Sequence, residues 1–361
     1  MFRYAIKCEI NIEYRGACMS LTSELRAKMK LYMLEHIERN DKDLIAKTMD
    51  TFSVSKTTVY NYLERMVKDQ LIVKPSNPKT GKYELYTSNT LFHYSTSSHL
   101  EEDRIFSHDI LPIISNLPKN VRDIWSYAFT EMMNNAIEHS EASKIDCLVS
   151  QNFLNTQIFI SDNGIGIFRK IQKYFLEERG DVITLDEAVD ALFPGKLTTA
   201  RENHSGEGIF FTSRAVDRFV ICSDERIFAH QPFLDRKINI EQMKDHGTIV
   251  DMVLSNTSAK PIKEVFDMFT DPDRGFFKTQ IPIAHMFANG YPVSRSEARR
   301  LGMFVKDFEE ITFDFANVDQ VGQAFTHELF IVFQNKHPQI HMNVVNANED
   351  VASMIKRVKH S

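Results

Sequence analysis

Four short segments in fixed order constrain this 361-residue chain more than anything else in it. The first is Glu131-Met132-Met133-Asn134-Asn135, inside a helix-patterned stretch from Ile124 to His139. Glu131 and Asn135 are four residues apart, so a helix stacks them on one face. The second, Asp162-Asn163-Gly164-Ile165-Gly166, closes a strand-like alternation that begins at Ser150, and its glycines permit close backbone approach to a ligand. The third, Ser205-Gly206-Glu207-Gly208, opens a helix from Ile209 to Arg218 whose free N–H groups and dipole suit phosphate. The fourth, Gly247-Thr248, precedes a strand from Ile249 to Leu254. Each piece alone is weak, but the ordered set is rare by chance.

That set resembles the GHKL superfamily of ATP-binding domains, which includes gyrase, heat-shock chaperones, sensor histidine kinases, mismatch-repair proteins and anti-sigma-factor kinases. The resemblance spans residues 98–258 and implies an α/β two-layer sandwich that binds ATP with Mg²⁺. By analogy Asn135 ligates the Mg²⁺, an ion that needs oxygen ligands in octahedral array. Glu131 would orient and deprotonate an attacking water or a protein hydroxyl. Asp162 would accept the adenine amine, with Gly164 and Gly166 leaving room for base and sugar. Gly206 and Gly208 would offer amides to the phosphates, Thr248 would lie near the adenine, and His139 would sit at the pocket margin or cap the helix end. The stretch from Ile167 to His204 corresponds to the ATP lid, where Lys196, with Arg201 as competitor, would reach the terminal phosphates or remain a solvated loop cation.

The rest of the chain carries other cues. Charge is unevenly spread: the net is −6, yet residues 53–83 hold six basic residues against Glu64 and Asp69. A polyanion is the expected partner of such a segment. Helical stripes at Leu21 to Glu38, Asp43 to Phe52 and Ser53 to Gln70 are followed by two strand-like runs around Pro75 to Gly81. Over residues 21–92 this order resembles the winged helix-turn-helix family of DNA-binding domains. The resemblance implies base and phosphate contacts from Lys56, Thr57, Thr58, Tyr60 and Asn61, and backbone contacts from Lys79 and Lys82 on the wing. A solvated face or a protein-contact surface is the plainer alternative.

Beyond residues 259–288, read as a charged, aromatic linker, residues 289–361 alternate helix and strand as an α/β layer. This segment resembles a STAS-like domain of unknown function, the fold relative of anti-anti-sigma factors. Those factors carry a regulatory serine in the region matching Asp314 to Phe325, where this chain has none; Thr326 is the nearest hydroxyl. The resemblance implies an interaction or oligomerisation module.

The expected fold class is therefore multidomain α+β: winged helix, GHKL sandwich, small STAS-like domain. Hydrophobic residues at 43% supply several cores, and the longest apolar runs are too short to span a membrane, so no membrane partner is expected. Four cysteines without paired spacing and a charged N-terminus fit a cytoplasmic protein, with residues 1–20 an extension set by start-site choice. The preferred reading is a nucleotide-dependent, DNA-binding regulator. An anti-sigma-like serine/threonine kinase and an ATP-driven dimerisation clamp are the alternatives. His108-Asp109-Ile110-Leu111-Pro112 approaches a phosphoacceptor motif, but its proline falls one residue early.

Overall fold

A computed structural model describes residues 22–74, 82–97, 99–197, 206–230, 247–287 and 291–360. The chain forms two compact units that divide between Tyr86 and Thr87. In the first, α1 (Ser23–Glu38), α2 (Leu44–Phe52) and α3 (Lys56–Lys68) precede a short antiparallel pair, β1 (Ile72–Val73) and β2 (Glu84–Leu85). Thr22 and Ser55 cap α1 and α3, each hydroxyl accepting an orphan N–H three residues on. Ser53 ends α2 in the left-handed region, which reverses the chain in a few residues. Met29, Met33, Leu34, Val59, Leu63 and Met66 meet in the core.

The second unit holds a six-stranded antiparallel sheet, β3 (Ser88–Ser95), β4 (Lys144–Gln151), β5 (Asn155–Asp162), β6 (Arg218–Ser223), β7 (Arg226–Ala229) and β8 (Thr248–Ser255), in the order β3-β4-β5-β8-β6-β7. Helices α4 (Glu102–Ile105), α5 (Leu111–Ile114), α6 (Lys119–Asn134), α7 (Ile167–Tyr174), α8 (Leu185–Asp190) and α9 (Gly208–Ala215) complete this half. The inner face of the sheet is set by alternation: Ile145, Cys147 and Val149 on β4 and Ile158 and Ile160 on β5 are buried with Trp125, Phe129 and Met133 of α6. Burial pushes the Cys147 thiol up to about 12.

The chain continues through α10 (Ile262–Asp267), a hairpin of β9 (Thr270–Asp271) and β10 (Gly275–Phe276), and then a three-stranded parallel sheet. That sheet is β11 (Lys278–Pro282), β12 (Glu310–Asp314) and β13 (His341–Val345), in sequence order. Around it lie α11 (Ile283–Met286), α12 (Arg295–Val305), α13 (Gln323–His327), α14 (Gln334–Lys336) and α15 (Glu349–Lys359). The molecule is thus a multidomain α/β protein with several sheets, and no helix of the described residues is long and apolar enough to cross a membrane.

Two boundaries differ from the sequence reading. Residues up to 92 were expected to belong with the N-terminal helices, but Ser88–Ser95 pairs along its whole length with β4, turning Phe92 and Tyr94 to the core. Residues 259–288 were expected to link; instead they supply β11 and bury Phe269, Phe276, Phe277 and Ile281. An aromatic-rich segment has too much apolar surface to remain in water.

The six-stranded and three-stranded halves share one continuous core. At their junction the Phe276 ring packs tilted at 4.6 Å from Phe210 and edge-to-face at 5.2 Å from Phe308. Arg300 of α12 pairs with Glu187 of α8 at 2.9 Å. Neighbouring Asp190 is raised to about 8, chiefly by burial, with Arg300 opposing. A folded pKa above the unfolded value of about 3.9 makes the protonated carboxyl the stabilising form. That contribution is whole below the unfolded value and disappears as pH rises towards 8. Asp190→Asn should therefore flatten the fall in stability across this window; parallel wild-type and variant melting curves against pH would exclude Asp190 as its source.

Candidate functional site

The four segments meet at one cavity of about 270 Å³ between α6, the inner face of the sheet and the start of α9. Glu131, Asn135, Asp162, Gly166, Gly206, Gly208 and Thr248 all line it. α6 delivers the first two. Past Asn134 the helix widens into a π turn over Asn135–His139, as it does at three other places in the described residues. His139 also lines the cavity.

Asp162 ends β5 and is 5% exposed. Its Oδ1 accepts the N–H of Gly164 at 2.8 Å and of Thr248 at 3.3 Å. The carboxylate is therefore held in one orientation by backbone from two separate segments. Thr248 in turn accepts the Ile167 N–H on its hydroxyl at 3.0 Å, fixing the start of α7. Gly164 is not itself on the wall. A methyl there would overlap the Ser140 carbonyl, and one at Gly247 would lie 2.5 Å from Asp162 Oδ1. Only glycine lets these loops close on the carboxylate.

At the other end of the cavity, α9 begins at Gly208 with its first N–H groups free of helical partners. A methyl on Gly208 would overlap the Glu131 carboxylate, so the helix start lies directly on that acid. Glu207 brings a second carboxylate to the wall. The site thus has a polar acidic end at Asp162, an acid–amide pair at Glu131 and Asn135, and a helix N-terminus whose dipole favours an anion. Ile160, Ile221 and Val250 from β5, β6 and β8 form an apolar wall between them.

Lys196 is not among the lining residues. Its ammonium donates to the Asp307 carbonyl at 2.9 Å and lies 4.6 Å over the Phe308 ring, so it fastens the two halves of the unit. Arg201 lies outside the described residues. Among the described residues the lysine on the wall is instead Lys170, paired with Glu141 at 2.5 Å. Its position four residues after Gly166, on the first turn of α7, was the available clue. The apolar wall left a fainter trace, as alternate isoleucine and valine in strands distant in sequence.

Other expectations fall elsewhere. His108 is exposed, outside the cavity, in a π turn over Phe106–Ile110. Thr326 is fully buried and donates to the Gly322 carbonyl at 2.8 Å, which withholds its hydroxyl from a modifying enzyme. In the first unit, Lys56, Thr57, Tyr60 and Asn61 are exposed on α3, with Lys56 5.9 Å from the Tyr60 ring. Thr58 is half-buried, and its N–H and hydroxyl engage the Ser55 hydroxyl. Lys82 is exposed and reaches the Asn40 carbonyl at 3.5 Å, while Lys79 lies outside the described residues.

Residues 300–352 match the family described as STAS-like domain of unknown function (DUF4325), so the C-terminal segment carrying β12 and β13 is STAS-like. No curated protein matches the chain.

Proposed function

We propose that residues 98–258 form a GHKL-type domain that binds ATP with Mg²⁺, and that the protein is a nucleotide-dependent regulator whose N-terminal winged helix contacts DNA. The observation that carries the nucleotide reading is the convergence of residues from Glu131 to Thr248, four separate stretches of sequence, on one cavity. In this reading Asp162 accepts the adenine amine, the apolar wall holds the base, and the α9 N-terminus receives phosphates. Among the described residues no three His, Cys, Asp or Glu side chains converge as a metal site. This suits Mg²⁺ held mainly by phosphate oxygens and water, with the Asn135 amide oxygen as protein ligand. The ion would neutralise phosphate charge. Glu131, lying against the α9 N-terminus, takes up the proton of an attacking hydroxyl or water.

The DNA reading rests on the exposed Lys56, Thr57, Tyr60 and Asn61 on α3 together with Lys82 and the local excess of positive charge. Phosphate contacts of this kind make affinity fall steeply with salt.

Isothermal titration of the protein with ATP and Mg²⁺ tests the central claim; no heat of binding at millimolar nucleotide would end it. With γ-labelled ATP, label on protein supports a kinase, free phosphate supports hydrolysis, and neither supports a binding switch. If there is turnover, Glu131→Ala should reduce it by about 10²–10⁴-fold while ATP affinity stays within a few-fold. Unchanged turnover would remove Glu131 as the base.

A further inference from the structure

β13 has a free edge. It pairs in parallel with β12, from His341 opposite Glu310 to Val345 opposite Asp314, and with no other described strand. The His341 N–H donates to the Glu309 carbonyl, and the Val345 carbonyl accepts from Phe315 N–H. Odd-numbered residues thus face β12, and strand alternation turns the N–H and C=O of Met342 and Val344 outward. Such a row of unpaired groups is a template for another strand.

A groove of about 450 Å³ runs beside this edge, between β13 and α15. Val344, Ala352 and Ile355 give it an apolar floor, and Lys356, Lys359 and His360 form its rim where α15 ends. Neither lysine pairs with a carboxylate among the described residues; the Lys359 ammonium lies 5.5 Å over the Phe330 ring. The acids of this helix, Glu349 and Asp350, lie at its other end, about 15 Å from Lys359 at 1.5 Å per residue.

We propose that the β13 edge and the α15 groove dock an extended acidic segment of a partner protein. The segment adds as a fourth strand beside β13, bonding to the outward groups of Met342 and Val344. Its apolar side chains enter the groove while its carboxylates meet Lys356 and Lys359. Backbone pairing supplies a general affinity and the rim supplies selection for acidic sequence. This proposal stands apart from the nucleotide reading.

Fluorescence anisotropy of the full chain tests it, with a dye-labelled octapeptide, Val-Thr-Val-Thr-Glu-Thr-Glu-Thr, whose valines and glutamates share the strand face turned to α15. Saturable binding is expected, weakened about tenfold or more at roughly 1 M salt and by Lys356→Glu combined with Lys359→Glu. Val344→Pro should abolish it, because proline removes an outward N–H that β12 does not use. Both variants change the outer margin of the domain; the charge-reversal pair, on an exposed helix end, keeps the test decisive where the proline variant does not fold. Hydrogen exchange at Met342 and Val344 should slow in the complex. Absence of binding at about 1 mM, equal binding of the same peptide with lysine in place of glutamate, or affinity unmoved by the charge reversal overturns the proposal. So does a dimer that Val344→Pro dissociates, which assigns the edge to a second copy.

Discussion

Asp162→Asn is expected to lower ATP affinity about a hundredfold, about 2.8 kcal/mol at 1.4 kcal/mol per decade, without unfolding the protein. Asp162 Oδ1 accepts two backbone N–H groups. The asparagine oxygen can keep both bonds, which preserves the local fold and forces the new NH₂ to take the position of Oδ2. A carboxylate oxygen that would accept the adenine amine becomes a donor facing a donor. Sites built to hydrogen-bond one group reject its mismatch strongly, because both polar groups then stay buried without a partner. GTP supplies an internal control. Its base presents an acceptor where adenine presents an amine, so the loss for ATP should exceed any loss for GTP. Titration calorimetry on both nucleotides, with thermal melts to check the fold, reads this directly. An ATP affinity within a few-fold of wild type would show that Asp162 does not contact the base.

The convergence of the site was legible because its chemistry restricts residue type at each position. A carboxylate and an amide one helical turn apart need only a helix to share a face, and Glu131 and Asn135 do. Glycine is required wherever a side chain would overlap backbone, and Gly164 and Gly247 meet that condition, while a side chain at Gly208 would overlap the Glu131 carboxylate. Element order in the C-terminal segment was equally readable, since Glu310–Asp314 and His341–Val345 are short apolar strands between amphipathic helices.

What the sequence hid was pairing across distance. Ser88–Ser95 has the alternation of any strand, and nothing local says that its partner is β4 rather than the preceding hairpin. Lys196 has the character of a phosphate-binding cation by composition alone; its bond to the Asp307 carbonyl depends on a segment over a hundred residues later. Residues 259–288 were misread for a related reason. Charged residues around Asp267 to Lys278 suggest solvent, yet Phe269, Phe276 and Phe277 among them are buried. Local charge density describes one side of a segment, and the aromatic side finds its complement only in three dimensions.

That complement makes the junction the most consequential place for a stability test. Phe210 of α9 is 1% exposed and packs against Phe269 at 4.9 Å and Phe276 at 4.6 Å. The Arg214 guanidinium lies 3.4 Å over its ring, is buried, and donates to the Phe210 carbonyl at 3.0 Å. Phe210 also fills the space that a side chain at Gly195 would occupy. Phe210→Ala therefore deletes a large core side chain and strips one face from a buried cation. Phe-to-Ala changes in cores cost about 3–5 kcal/mol, and this site lies towards the upper end because the cation cannot rehydrate. The loss should fall on both halves together. Since one core joins the six-stranded and three-stranded sheets, residues from Thr87 onward are expected to unfold in a single transition. Trp125, the one tryptophan in the chain and fully buried on α6, reports the first half by fluorescence. Hydrogen exchange along β12 reports the second. In Phe210→Ala both probes should shift to the same lower denaturant midpoint. If Trp125 moves while β12 keeps its wild-type protection, the two sheets are independent folding units and the shared core does not couple them.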